Sequence, residues 1–255
     1  MSGKVFGVAL GPGDPELITV KALNCLKKSE KIYYPATQSL KGNQDSFSLV
    51  ILKQLDVEEN KFVPIMVPMS KDRSHAVKAY ANLFIKVQKD VEEGKQVSVV
   101  SEGDISFFST FSYLLEDFRK NSIDFEMIPG VPAFVLGGSA GKLPLATQND
   151  KLLIAPDLEN EEELQNLLNQ NQTVVLMKIS KVRDWIKEFI QNHDLKFFYG
   201  EYLGTQKQFT CTDIESLNER QIPYFAILIF YGNNKPDSVA DLSAFNENVP
   251  QEKQR

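Results

Sequence analysis

The chain has 255 residues, 42% of them hydrophobic and 24% charged, with a mean hydropathy of −0.24; these values fit a folded globular protein and exclude a disordered or collagen-like chain. Its 28 basic and 34 acidic residues leave a formal charge of −6 and a pI near 5.2, so no global positive field favours DNA, RNA or an anionic membrane. Cys25 and Cys211 are the only cysteines and form no CxxC pair, which argues against a disulfide framework or a structural zinc site and makes a reducing cytoplasm the expected setting.

Short apolar runs rich in Val, Ile, Phe and Tyr alternate with longer stretches of helical periodicity, the pattern of sheets covered by helices, so the expected class is α/β. The opening run is too weak for a signal peptide, and no apolar stretch of about 18 residues suggests a membrane span. The first strand is expected over 5–10, followed by a turn at Gly11, Pro12 and Gly13. A helix then starts with Asp14 as N-cap, Pro15 at its first position and Glu16 in its first turn, buries Leu17, Val20, Leu23 and Leu26, and runs to Lys28. Further strands are expected over 31–34, 62–67, 97–101 and 125–128, and helices over 47–55, 74–93 and 110–120.

After Pro129 and Gly130 the texture changes. A small-residue segment, VPAFVLGGSAGKLPLA, leads into KLLIAPD and an acidic helix over 161–169; strands follow over 174–179, 196–203 and 224–230, with a helix over 182–191. The boundary therefore falls between Pro129 and Thr147. It gives an N-terminal lobe over 1–129, a C-terminal lobe over 130–231 and a polar extension over 232–255, with a ligand cleft expected between the lobes.

Several motifs invite a functional reading. Gly11 and Gly13 supply the GxG of a dinucleotide loop, but Glu16 stands where the third glycine should be and its charge opposes a pyrophosphate. Gly94-Lys95 and Gly141-Lys142 lack the Ser or Thr of a Walker A loop. Residues 137–141 read GxSxG, the elbow of serine hydrolases, and Asp157 or Asp184 with His193 keeps the hydrolase order behind Ser139; Lys142 even completes SxxK. An elbow needs a strand before the serine and a helix after it, and Pro144 breaks that helix, so a small-residue helix packed closely on a neighbour is the expected form. His75 and His193 are isolated, which suggests solvated histidines and no metal centre. Trp185, at helical spacing from Phe189, reads as core. The loop over 101–110 follows the apolar strand VSVVS, where open sheets bind ligands beyond the strand ends. Gly103 permits close backbone approach, Asp104 can accept hydrogen bonds, and Phe107 and Phe108 offer an apolar wall.

Taken together, GPGDPELITVKAL (11–23), SEGDISFFSTFSYL (101–114), IPGVPA (128–133), VVLMK (174–178) and IPYFAILIF (222–230) resemble, in order and spacing over nearly the whole chain, the tetrapyrrole methylase family. The STF after GD, the PYF of the last strand and the long stretch between the first two motifs resemble the branch that methylates C20 of precorrin-2 or cobalt-precorrin-2 in cobalamin synthesis. The resemblance implies a two-lobed fold, with a mostly parallel N-terminal sheet, a mixed C-terminal sheet and a cleft between them. It also implies a cytoplasmic homodimer that uses S-adenosylmethionine (SAM) as methyl donor and a tetrapyrrole as acceptor. Carried over residue by residue, it implies donor contacts at Pro12, Glu102, Gly103, Asp104, Phe107, Pro132, Ala133, Met177, Thr212 and Ala226. Two departures stand out: the family's GDP is Gly103, Asp104, Ile105 here, and relatives with an Asp after the second strand's tyrosine have Pro35 here.

A substrate with eight carboxylates requires local cations on an acidic protein, and the candidates are Lys71, Arg73, Lys142, Lys178 and Lys181. Asp104, Tyr113 or a substrate carboxylate could take the C20 proton, and Lys178, which closes an apolar strand, completes the catalytic candidates. Another tetrapyrrole methylase acting on a different ring carbon, a serine hydrolase using Ser139 and a non-catalytic binding module are the alternatives.

Overall fold

The computed structural model describes residues 3–38, 44–68 and 72–232. The chain divides into two compact units, residues 1–133 and 134–255. No helix among the described residues is long and apolar enough to cross a membrane.

The first unit is built from β1 (Lys4–Ala9), α1 (Val20–Lys28), β2 (Lys31–Gln38), β3 (Gln44–Asp45), α2 (Phe47–Leu52), β4 (Phe62–Met66), α3 (Ser74–Glu92), β5 (Gln96–Ser101), α4 (Ser112–Lys120) and β6 (Phe125–Ile128). Strands β4, β2, β5, β1 and β6 lie side by side in that order and all run parallel, while β3 adds a short antiparallel pairing at the far end of β2. Because side chains alternate along a strand, each strand feeds two layers. Val5, Tyr33, Val97 and Val99 pack under α3 and α4 with Tyr80, Leu83, Phe111 and Phe118. Val8, Ile32, Tyr34 and Val100 pack under α1 and α2 with Leu26, Ile51 and Leu52. A sheet covered on both faces explains the near-continuous apolar runs of β1 and β5.

The helix expected from Asp14 to Lys28 is two pieces. Asp14 accepts a hydrogen bond from the Glu16 amide (2.8 Å) and caps only a single 3-10 turn, Pro15–Leu17; Ile18 and Thr19 are extended, and Thr19 Oγ1 caps α1 by accepting from the Ala22 amide (3.2 Å). The β-branched run Ile18, Thr19, Val20 favours this break. The buried face of α1 is therefore Ala22, Cys25 and Leu26, and Val20 is 76% exposed, contrary to expectation. Apart from β3, which was not anticipated, the other strands and helices of this unit lie within two or three residues of their expected bounds, except that β2 runs on through Pro35 to Gln38.

Near the start of the sheet, Asp90 on the last turn of α3 is 2% exposed and accepts hydrogen bonds from Lys31 Nζ (2.7 Å), Tyr33 Oη (2.6 Å) and Lys95 Nζ (3.1 Å). A carboxylate opposes the dipole at a helix C-terminus. Here it ties α3 to the beginnings of β2 and β5. Burial raises its pKa, but the three donors outweigh that and the net shift is downward.

The second unit comprises α5 (Ala133–Ala140, whose first residue closes unit one), β7 (Leu152–Ala155), α6 (Glu161–Gln170), β8 (Thr173–Met177), α7 (Ile186–His193), β9 (Phe197–Glu201), β10 (Phe209–Cys211), α8 (Ile214–Asn218) and β11 (Ala226–Tyr231). Its sheet has the order β10-β9-β11-β8-β7, with β7 and β8 parallel and the other pairs antiparallel. Leu164, Ile186, Phe189 and Leu217 of α6, α7 and α8 bury one face. On the other, α5 lies so close that a Cβ on Gly137 would stand 2.7 Å from Ile227 Cδ1, and one on Gly141 3.1 Å from Phe198 Cδ2. The small residues of this helix thus permit close packing, as its composition led us to expect. The strand over 174–179 stops early, at Met177, because Lys178 adopts the left-handed conformation (φ 55°) and Ile179–Lys181 form a 3-10 turn; β10 and α8 were not anticipated.

Replacing Asp90 by Asn removes the charge that three donors converge on. Urea denaturation of D90N is expected to show a loss of about 1–3 kcal/mol with an unchanged m-value.

Candidate active site

At the C-terminal ends of the parallel strands the chain turns three times in one place. After β1 the Leu10 amide donates to Ser101 O (2.9 Å). Gly11 and Gly103 then exchange both backbone bonds, Gly11 N to Gly103 O at 3.1 Å and Gly103 N to Gly11 O at 2.7 Å. Both hold positive φ, +80° and +66°, where a Cβ is strained. The loop after β6 closes on this pair. A Cβ on Gly130 would stand 2.6 Å from Ala9 Cβ and 2.9 Å from Gly103 O, so only glycine lets that backbone approach, and a Cβ on Gly103 would lie 4.0 Å from Pro132 Cα. The sequence motifs at 11–14, 103–107 and 130–133 are therefore neighbours within one unit, with Pro12 buried among them.

Asp104 joins two of these loops. Its Oδ2 accepts from the Gly130 amide (2.8 Å), and its Oδ1 accepts from Ser106 N (2.9 Å) and Ser106 Oγ (2.5 Å). It is 8% exposed. Burial raises its pKa, but the bonds from Ser106, Gly130 and Ile105 outweigh it and hold the carboxyl below its ordinary 3.8. Both oxygens are engaged in the loop framework.

Glu102 points elsewhere, toward the first turn of α2, where its Oε1 accepts from Ser48 N (3.1 Å) and Ser48 Oγ (2.5 Å). Ser48 was missed by sequence reasoning because 54 residues separate it from Glu102 and nothing local marks the pairing. Phe107 and Phe108 are exposed, edge-to-face at 5.2 Å, and Phe108 holds a left-handed φ of 51°. Tyr113 lies in the α3–α4 layer with its ring 5.6 Å from Tyr80.

In the second unit, Met177 pairs with Ile227, which places it beside Ala226 at one end of adjacent strands; Met177 also lines a recess with Ala155, Leu158, Leu176, Ile179 and Val182. Lys178 borders the same recess. Thr212 is set apart: β10 runs from Phe209, opposite Glu201, to Cys211, opposite Tyr199, so Thr212 continues away from Ala226, which also pairs with Glu201.

Of the basic candidates, Lys178 and Lys181 lie together, the Lys181 amide donating to Lys178 O (3.1 Å). Lys142 follows α5, whereas Lys178 follows the end of β8. Lys181 is ion-paired with Asp157, Arg73 is exposed before α3, and Lys71 lies outside the described residues.

The hydrolase elbow is absent in fact. Ser139 sits inside α5 and donates to Val135 O (3.3 Å), with no strand ending at it. His193 is exposed, stacks on Phe189 at 4.2 Å and pairs through Nδ1 with Phe189 O (2.9 Å). Trp185 meets Phe189 edge-to-face at 5.9 Å at the border of the core. Among the described residues, no group of three or more His, Cys, Asp or Glu could hold a metal ion.

The family model of Tetrapyrrole (Corrin/Porphyrin) Methylases matches residues 4–218. The chain belongs to that family. Among curated relatives, it is similar to the cobalt-precorrin-2 C(20)-methyltransferase of Salmonella typhimurium, 33% identical over 180 residues, 70% of this chain and 74% of the relative. It is also similar to the precorrin-2 C(20)-methyltransferase of a Sinorhizobium species, 28% identical over 236 residues, 90% and 96% of the two chains. The fold matches that of uroporphyrin-III C-methyltransferase from Thermus thermophilus complexed with S-adenosyl homocysteine, with a TM-score of 0.61, 19% identity and coverage of 91% and 98%. The α/β architecture with one parallel and one mixed sheet is thus that of the tetrapyrrole methylases, whose methyl donor is SAM.

The loops suit such a donor. Residues 11–14, 102–107 and 129–133 contain no lysine or arginine and carry the carboxylates Asp14, Glu102 and Asp104. These surroundings favour a cationic sulfonium and disfavour the phosphates of a dinucleotide.

Because the folded pKa of Asp104 is depressed, its contribution to stability is present above pH 3.8 and is lost as pH falls through the lower folded value. Asp104→Asn turns an amide toward the Ser106 donors. It is expected to cost about 1–3 kcal/mol at neutral pH, and urea titrations should show the gap to the wild type narrowing below pH 4.

Proposed function

We propose that the chain is a SAM-dependent C-methyltransferase that methylates C20 of precorrin-2 or cobalt-precorrin-2 during corrin-ring synthesis. The observation that carries this reading is the meeting of the three glycine loops around Gly11, Gly103 and Gly130. The named activities of its relatives at 28–33% identity support the choice of acceptor.

When bound, SAM supplies an electrophilic methyl group on a sulfonium, so the hard chemistry is brought by the donor. The protein's task is alignment, worth up to roughly 7–11 kcal/mol in ideal cases. In this reading the backbone of Gly103, Pro132 and Ala133, with Pro12 and Phe107 beside it, holds the sulfonium and methionine part. Met177 and Ala226 hold the adenosyl part, and Asp104 acts by fixing Gly130. Lys178 takes a substrate carboxylate: a lysine in the left-handed region costs about 1–2 kcal/mol, and its place beside Met177 gives that cost a purpose. The reading includes a homodimer in the cytoplasm, supported by the family resemblance and two unpaired cysteines.

The purified protein is expected to bind SAM or S-adenosyl homocysteine in the micromolar range by calorimetry under reducing conditions. With SAM it should convert precorrin-2, its cobalt form, or both to a product heavier by one methylene, read by mass spectrometry. Failure to bind either nucleotide removes the reading. For Lys178→Gly we expect unfolding stability to rise by about 1 kcal/mol while the KM for the tetrapyrrole increases several-fold; an unchanged KM would strip Lys178 of its role.

A further inference from the structure

The methyl-transfer reading leaves one group unplaced. When a meso carbon accepts a methyl group it carries both the methyl and its original hydrogen, and that hydrogen must leave as a proton. Asp104, the nearest sequence candidate, has Oδ1 and Oδ2 occupied by the Ser106 and Gly130 donors that hold the loops together. Tyr113 is packed against Tyr80 under the sheet.

Glu102 is arranged differently. Both hydrogen bonds from Ser48 fall on Oε1, and Oε2 takes none from the described residues. The carboxylate is therefore fixed in direction with one oxygen available. It directly precedes Gly103, whose amide and carbonyl are both locked to Gly11, so its backbone cannot swing. Strands β2 and β5 pair from Lys31 with Val97 to Tyr33 with Val99, and Glu102 follows directly on the end of β5 at Ser101. Ser46 Oγ donates to Pro35 O (2.6 Å) and accepts from the Leu49 amide (3.1 Å), which pins the first turn of α2 that carries Ser48. Position 35 itself offers no acid or base, and the start of α2 binds both Pro35, through Ser46, and Glu102, through Ser48.

We propose that Glu102 is the proton acceptor of the reaction, a role that rests on the methyl-transfer reading above. C20 forms its bond to the methyl carbon with an electron pair of the macrocycle while the sulfur–methyl bond breaks and its pair stays on sulfur. The C20–H bond then breaks, its electrons return to the conjugated ring, and the proton passes to Glu102 Oε2 and on to solvent. The positive charge that arrived on sulfur leaves as that proton, and no oxidant or further reactant is needed. Ser48 is the positioning residue that aims the carboxylate.

The test compares wild type, Glu102→Gln and Ser48→Ala for S-adenosyl homocysteine binding by calorimetry and for single turnover of precorrin-2 carrying hydrogen or deuterium at C20. Glu102→Gln, isosteric and still able to accept from Ser48, should lose far less nucleotide affinity than turnover. Its turnover should fall by about 10²–10⁴-fold with a primary deuterium effect larger than that of wild type, because proton loss has become limiting. Ser48→Ala should show a smaller fall, about tenfold, with the same isotope signature. Turnover of Glu102→Gln near the wild-type rate, a fall without an enlarged isotope effect, or loss of nucleotide binding in parallel with turnover would each overturn the proposal. Wild-type protein that binds the nucleotide but methylates neither form of precorrin-2 would instead fail the reading beneath it, and the proposal with it.

Discussion

The reciprocal pair of backbone hydrogen bonds between Gly11 and Gly103 is the constraint on which the candidate site depends. Parallel neighbours β1 and β5 end side by side, and their chains must then turn without burying unpaired amides. Two glycines at positive φ solve this by meeting as an antiparallel bridge beyond a parallel pair. That bridge leaves a surface of bare backbone, and Gly130, with no room for a side chain, adds the third segment. A site framed by main chain, with no lysine or arginine on its loops, suits a cationic donor that carries its own reactive centre.

Three carboxylates lie on these loops, and their surroundings divide the work among them. Asp14 caps a 3-10 turn and Asp104 spends both oxygens on loop amides and a serine hydroxyl. Glu102 is held through one oxygen only. The same functional group thus serves as cap, as tie or as a carboxylate anchored by one oxygen, according to which donors the fold brings to it.

The second unit shows how a motif can carry the letters of a catalytic elbow and serve packing alone. GGSAG reads as a nucleophile loop, yet its glycines let α5 approach the sheet to distances that a Cβ would violate. In the same unit, Lys142 and Lys178 both hold left-handed backbone, yet one follows a helix and the other ends a strand.

Local chemistry was enough for the α/β class, for most strand and helix positions, and for the glycine, GD and PG motifs, because hydrophobic period, capping and turn preferences act within a few residues. Even there Ile18 and Thr19 split one expected helix into two, since a second capping residue competed with the first. Which carboxylate is structural and which has an oxygen to spare was not legible: Asp104 depends on Gly130, 26 residues on, and Glu102 on Ser48, 54 residues back. The separation of Thr212 from Ala226 followed only from strand register. Hydrogen bonds and close approaches between distant segments are settled by how strands pair and layers pack, and those long-range choices leave no mark in the spacing of letters along the chain.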